Sequence, residues 1–93
     1  MIKSFADRHT RLIFLRQPSR RVRSDLPRVA LRKLVQVNAA ASLEFLRVPP
    51  GNRLERLAGE RAGQYSIRIN DQWRICFRWN DGDAYEVEIV DYH

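Results

Sequence analysis

The sequence predicts an α+β fold: a short strand and two helices, then an antiparallel β-meander, with the helices packed on one face of the sheet. Three observations carry this. Leu26, Ala30, Leu34 and Val37 recur at a spacing of three to four residues, which makes one apolar helix face. From Gln64 onward apolar and polar residues alternate instead, the period of a strand. Pro49-Pro50-Gly51 stands between the two regimes as a firm break. The 93 residues suffice for one domain, 1–93, with one modest core and no room for a cofactor-binding module.

Met1 to Phe5 alternates as a short strand does. Asp7 is placed to cap a helix running to about Leu15, with Leu12 and Leu15 spaced to face the core. Pro18 and Ser19 to Arg23 form a connection, and Ser24 or Asp25 caps the longer helix, where Pro27 is tolerated in the first turn. Arg28, Arg32 and Gln36 fall on a different side of it from the apolar stripe. A third short helix is expected from Ser42 to Leu46, and a turn from Gly59 to Gly63. Tyr65, Ile67 and Ile69 then share a face, as do Trp73, Ile75, Phe77 and Trp79, and as do Tyr85, Val87, Ile89 and Asp91.

For the apolar faces of paired strands to coincide, the numbers of opposite residues must have an even sum. Pairing Ile69 with Trp73 leaves the turn Asn70-Asp71-Gln72, sets Ile67 against Ile75, and sets Arg68 directly against Arg74. Like charges face to face cost a few tenths to about 1 kcal/mol, so an anion is expected between them. In the last hairpin the same rule pairs Phe77 with Val87, Ile75 with Ile89, Arg78 with Glu86, Arg74 with Val90 and Gln72 with Tyr92. Arg78 thereby gains a carboxylate, whereas Arg68 and Arg74 are expected to lack one.

The net charge of +6 is unevenly spread. Residues 1–35 hold ten Lys or Arg against two Asp, a net +8, and the rest hold seven against nine, a net −2. A basic arm on a balanced body suits nucleic acid or an acidic partner. Only Lys3 and Lys33 are lysines. Arginine favours bidentate phosphate recognition, although a GC-rich genome also enriches it. No apolar run approaches the roughly 20 residues that span a bilayer, and the N-terminus enters a polar helix with neither an h-region nor a cleavage site. With Cys76 as the only cysteine there is no internal disulfide. A cytoplasmic protein, with no membrane association, is the simplest expectation.

The chain ends Asp91-Tyr92-His93, an acid, a phenol and an imidazole at the end of a strand. Imidazole exchanges protons near neutral pH. With Arg68 and Arg74 to hold a phosphate, these residues suggest metal-free RNA cleavage in which the substrate 2′-hydroxyl is the nucleophile. His93 serves as acid or base, Tyr92 as proton donor or stacking platform, and Asp91 as a group to orient His93. A terminal His93 without a role, Tyr92 as a mere edge aromatic, and the two arginines on a solvated face stay open beside this. His9 reads as a surface residue. Two distant histidines and one cysteine do not make a metal site, no cofactor motif is present, and Trp73, Phe77 and Trp79 read as core.

The stretches Pro49-Pro50-Gly51-Asn52-Arg53-Leu54-Glu55, Gly63 to Arg68, Asn70-Asp71-Gln72-Trp73-Arg74 and Val87 to His93, together with Met1 to Phe5, resemble the HigB type of plasmid-maintenance killer toxin. That type belongs to the RelE/ParE superfamily of type II toxin–antitoxin systems. The resemblance implies a RelE-like fold and an endoribonuclease that cuts messenger RNA in the ribosomal A site, without metal, leaving a cyclic phosphate. It implies a helix-turn-helix antitoxin from the same operon, with operator DNA bound only as the complex. By position, Asp91, Tyr92 and His93 match the functional end, and Arg68 and Arg74 match basic positions on cleft-lining strands. Arg53, Arg56, Gln72, Asn70 and Glu55 are the candidates on the substrate side. Some relatives place a His and a Lys between Leu54 and Gly59, where this chain has Glu55, Arg56 and Ala58. Either Glu55 replaces the base, Arg56 supplies the charge, or cleavage is less efficient. A non-catalytic DNA gyrase inhibitor of the ParE kind, and a basic ribosome- or RNA-binding module, are the rival readings.

Overall fold

The computed structural model describes residues 1–17 and 26–91. Two helices, α1 (Arg8–Phe14) and α2 (Leu26–Ala39), precede strands β1 (Glu55–Arg56), β2 (Gln64–Arg68), β3 (Trp73–Asn80) and β4 (Asp83–Asp91). The strands form one antiparallel sheet in the order β1-β2-β3-β4. This is the expected α+β arrangement. The expected connection from Pro18 to Arg23, the Ser24 or Asp25 cap, and Tyr92 and His93 lie outside the described residues.

The apolar stripe of α2 is buried as its spacing predicts: Leu26, Ala30, Leu34 and Val37 share one core with Ile67, Ile75, Phe77, Ala84 and Val87 of the sheet. Asp7 caps α1, its side chain accepting from the Thr10 backbone N–H at 2.8 Å. The inward face of α1 is Thr10 and Ile13, however, and Leu15, expected in the core, is exposed. The helix has already ended there, and Arg16 turns the chain away with φ +59°. A 3₁₀ turn at Leu43–Leu46 fills the place of the third helix, and a second occupies Pro50–Asn52. No described helix is long and apolar enough to cross a membrane.

The β2–β3 register is the one the parity rule gives, with Ile67 opposite Ile75 and Arg68 opposite Arg74. Asn70 Oδ1 closes the turn between them by accepting from the N–H groups of Gln72 and Trp73. In β3–β4 the expected pairs Ile75–Ile89 and Arg74–Val90 form, but beyond Cys76 the register shifts and Arg78 pairs with Tyr85. Glu86, at φ +52°, makes this bulge, so Glu86 and Val87 share the span that Phe77 alone occupies on β3. Ala84, not Tyr85, is therefore the buried residue before Val87. Arg78 still reaches Glu86, Nε to Oε2 at 2.5 Å.

The bulge also explains why Met1 to Phe5 is not a regular strand. It runs parallel to β4 through two isolated bridges, Ile2–Ala84 and Phe5–Val87. Between them the Glu86 N–H donates to Ser4 Oγ rather than to a backbone carbonyl, which interrupts the ladder.

Candidate active site

Helices cover one face of the sheet; the other carries the charged residues. Two rows cross it. Glu55, Ser66, Cys76 and Glu88 stand opposite one another in the first, and Arg68, Arg74 and Val90 in the second. The second row lies at the end of the sheet where β4 finishes, and there Asp91 pairs with Trp73. Gln72 Nε2 donates to Asp91 Oδ2 at 3.0 Å, fixing the carboxylate from which Tyr92 and His93 follow in the chain.

The opposed arginines relieve their repulsion by turning apart. Arg68 pairs with Asp71 across the turn and keeps its side chain about a third exposed. Arg74 is 7% exposed and folds along the sheet. Its Nε donates to Ser66 Oγ at 2.8 Å, and one Nη donates to the carbonyl of Arg53 at 2.6 Å. The other Nη stands 3.8 Å from Glu55 Oε1. The expectation that neither arginine has a carboxylate partner is thus corrected. Asp71 in the turn and Glu55 on the edge strand supply the negative charge, because β1 returns beside β2 and brings Glu55 level with Ser66.

The loop that presents Arg53 and Glu55 is anchored from α2. Lys33 Nζ donates to Asn52 Oδ1 at 2.5 Å, while Asn52 Nδ2 donates to Gln36 Oε1 and to the Leu46 carbonyl. Asn52 is fully buried. The next residue, Arg53, takes φ +45°, which turns its carbonyl toward Arg74. Sequence reasoning missed Lys33, Gln36, Asn52 and Ser66. The available signal was Lys33 itself, a lysine at an inward position between Ala30 and Val37.

Burial, with the Arg32 and Arg68 charges beyond it, holds the Lys33 ammonium below its usual pKa of 10.5. Between that lowered value and 10.5 the unfolded chain binds more protons at this site than the folded one, so Lys33's contribution to stability rises with pH. Urea unfolding of the protein and of Lys33→Met between pH 7 and 10 is expected to show the protein gaining on the variant as pH rises. Parallel profiles would contradict it.

The remaining candidates divide. Glu55, half exposed, lies beside Arg74 in the cleft. Arg53 contributes its carbonyl. Asn70 and Gln72 hold the strand ends and Asp91. Arg56 pairs with Tyr65, one residue out of phase with Glu55, and so faces away from Arg74. Elsewhere on the open face Arg61 bonds Glu88 and Gln64 at 2.8 and 3.0 Å. Burial raises the nearby Cys76 thiol above its usual pKa. His9 is half-buried and lines an apolar cavity of about 220 Å³ with Trp73 and Ile89. Among the described residues no three His, Cys, Asp or Glu gather as a metal site would require.

This end of the sheet presents a partly exposed guanidinium, Arg68, with the Glu55 carboxylate near the buried Arg74 guanidinium one row away. A family model described as the RelE-like toxin of type II toxin–antitoxin system HigB matches residues 3–93. Toxin HigB-1 of Vibrio cholerae serotype O1 is 45% identical over 65 residues, 70% of this chain and 68% of that protein. Endoribonuclease HigB of Proteus vulgaris is 34% identical over 94 residues, spanning both chains completely.

Proposed function

Because the chain belongs to the family of RelE-like HigB toxins of type II toxin–antitoxin systems, we propose that it is an endoribonuclease that cuts messenger RNA in the ribosomal A site, using the RNA's own 2′-hydroxyl and no metal. Its partner is a helix-turn-helix antitoxin encoded in the same operon, and the two together bind operator DNA. The observation that carries the reading is the strand register that sets Arg68 against Arg74 at the end of the sheet where β4 finishes at Asp91. The name of the Proteus relative supports the same reaction class.

In this reaction the 2′-oxygen bonds to phosphorus as its proton passes to a base. The bond from phosphorus to the 5′-oxygen breaks, and an acid protonates the departing oxygen. A 2′,3′-cyclic phosphate and a 5′-hydroxyl result. Glu55, whose carboxylate lies 3.8 Å from an Arg74 Nη, takes the first proton. His93 supplies the other transfer, or the base if Glu55 only orients the sugar, and Asp91 orients His93. Arg68 holds the phosphate, where charge accumulates in the transition state. Tyr92 donates a proton or stacks on a base.

Purified protein added to translating ribosomes is expected to cleave a reporter message within its reading frame, while leaving DNA gyrase supercoiling unchanged. An intact message with supercoiling blocked would replace this reading with gyrase inhibition. An intact message with ribosomes bound but both activities absent would replace it with a binding module.

A further inference from the structure

We infer that the apolar groove at the C-terminal end of α2 is the docking site for an acidic, amphipathic segment of the antitoxin. The inference rests on the reading of the chain as a toxin with a protein antitoxin, and it is independent of the ribonuclease chemistry.

The groove is lined by Gln36, Ala39, Ala40, Phe45, Leu46 and Pro49. One of the exposed large hydrophobic side chains, Phe45, lines it, and two others lie near its lining residues in the chain. Phe45 is 60% exposed, Val48, next to Pro49, is 74% exposed, and Val35, one turn before Ala39 on α2, is 41% exposed. Apolar surface left in water beside an apolar groove favours a partner that covers it. At about 290 Å³ the groove lies at the bottom of the small-molecule range of roughly 300–1,000 Å³. It has the size to take apolar side chains from another polypeptide.

Charge indicates what kind of polypeptide. Arg28 and Arg32 are exposed and lead along α2 toward Val35 and Ala39 at helical spacing. No Asp or Glu lies anywhere in α2, and no described carboxylate pairs with Arg28 or Arg32. Glu44, beside the groove, is already held by Arg47 at 3.2 Å. A complementary segment therefore carries large apolar residues on one face and carboxylates next to them.

The groove's inner wall, Gln36 and Leu46, also holds Asn52 at the base of the cleft loop, whereas the end of α2 leads away from the cleft. The end of α2 is tied to the β3–β4 hairpin side of the sheet: Asn38 Oδ1 accepts from the Ile2 N–H, Ile2 bridges to Ala84, and the Ala41 carbonyl lies against Gly82. Arg68, Arg74 and Asp91 occupy the opposite end of the strands.

The test is titration calorimetry of purified toxin with the antitoxin of its operon, using the surface variants Phe45→Glu, Val48→Glu and Arg32→Glu, with size-exclusion chromatography of each free toxin. Phe45→Glu is expected to weaken antitoxin binding by about 30-fold or more, the loss typical of an interface hot spot. Arg32→Glu is expected to weaken it in a salt-dependent manner. Both variants should keep the circular dichroism spectrum of the parent and still arrest growth when expressed without antitoxin. Arg68→Ala should bind antitoxin like the parent. Unchanged affinity in folded Phe45→Glu and Val48→Glu would overturn the assignment. A free toxin dimer that Phe45→Glu splits, with antitoxin affinity intact, would assign the groove to a second copy instead. Loss of growth arrest in folded Phe45→Glu, with antitoxin affinity intact, would assign it to the toxin's target. No RNA enters the binding measurement, so failure of the ribonuclease reading leaves its outcome untouched.

Discussion

Replacing His93 with alanine is expected to lower ribosome-dependent message cleavage by about 10²–10⁴-fold, the usual worth of a placed proton-transfer group. Imidazole exchanges protons near neutrality, which the carboxylates Glu55 and Asp91 do not match. The residue follows β4 by two positions, and the strand is fixed without it through the Ile75–Ile89 and Trp73–Asp91 pairs. The melting temperature of His93→Ala should therefore match that of the parent. Cleavage within a factor of two of the parent's would remove His93 from the mechanism.

Arg68→Ala and Arg74→Ala are expected to fail in different ways, although the two residues face one another across one register position. Arg68 is partly exposed and its ion pair with Asp71 is a surface pair, which contributes little to stability. Arg68→Ala should melt like the parent and lose about 10²-fold or more in cleavage, as when a donor to a transition-state oxyanion is removed. Arg74 is buried, and its loss strands Ser66 Oγ and the Arg53 carbonyl. Each buried group left without its partner costs about 1–3 kcal/mol. Arg74→Ala should thus lose about 3 kcal/mol of stability, lowering the melting temperature by about 10–20 °C, as well as activity through the displaced Glu55. Equal melting temperatures for both variants would show that the Arg74 hydrogen bonds do not hold the loop.

Local rules made much of this legible in advance. Asp7 and the Leu26, Ala30, Leu34 and Val37 stripe needed only capping chemistry and helical spacing. The Arg68–Arg74 juxtaposition followed from matching apolar faces across a short turn. What escaped depends on distant parts of the chain. A left-handed Glu86 has no local signature, since that conformation ordinarily selects Gly, Asn or Asp, and one extra residue there moved Tyr85 off the core face. Arg74 finds its acceptors at Ser66 and Arg53, and the Arg53 loop is set by Asn52 and Lys33, a contact 19 residues apart in sequence. Lys33 broke the apolar pattern of α2 at an inward position.

The most direct test is the chemistry of the cut ends. Reporter message is incubated with the protein and translating ribosomes, and the 3′ ends of the fragments are analysed by treatment with and without a phosphatase and a cyclic-phosphate-opening enzyme. Attack by the 2′-hydroxyl predicts ribosome-dependent fragments ending in 2′,3′-cyclic phosphate with 5′-hydroxyl partners, formed far more slowly with His93→Ala. Fragments ending in 3′-hydroxyl with 5′-phosphate, or a message left whole by protein that still arrests growth, would contradict it.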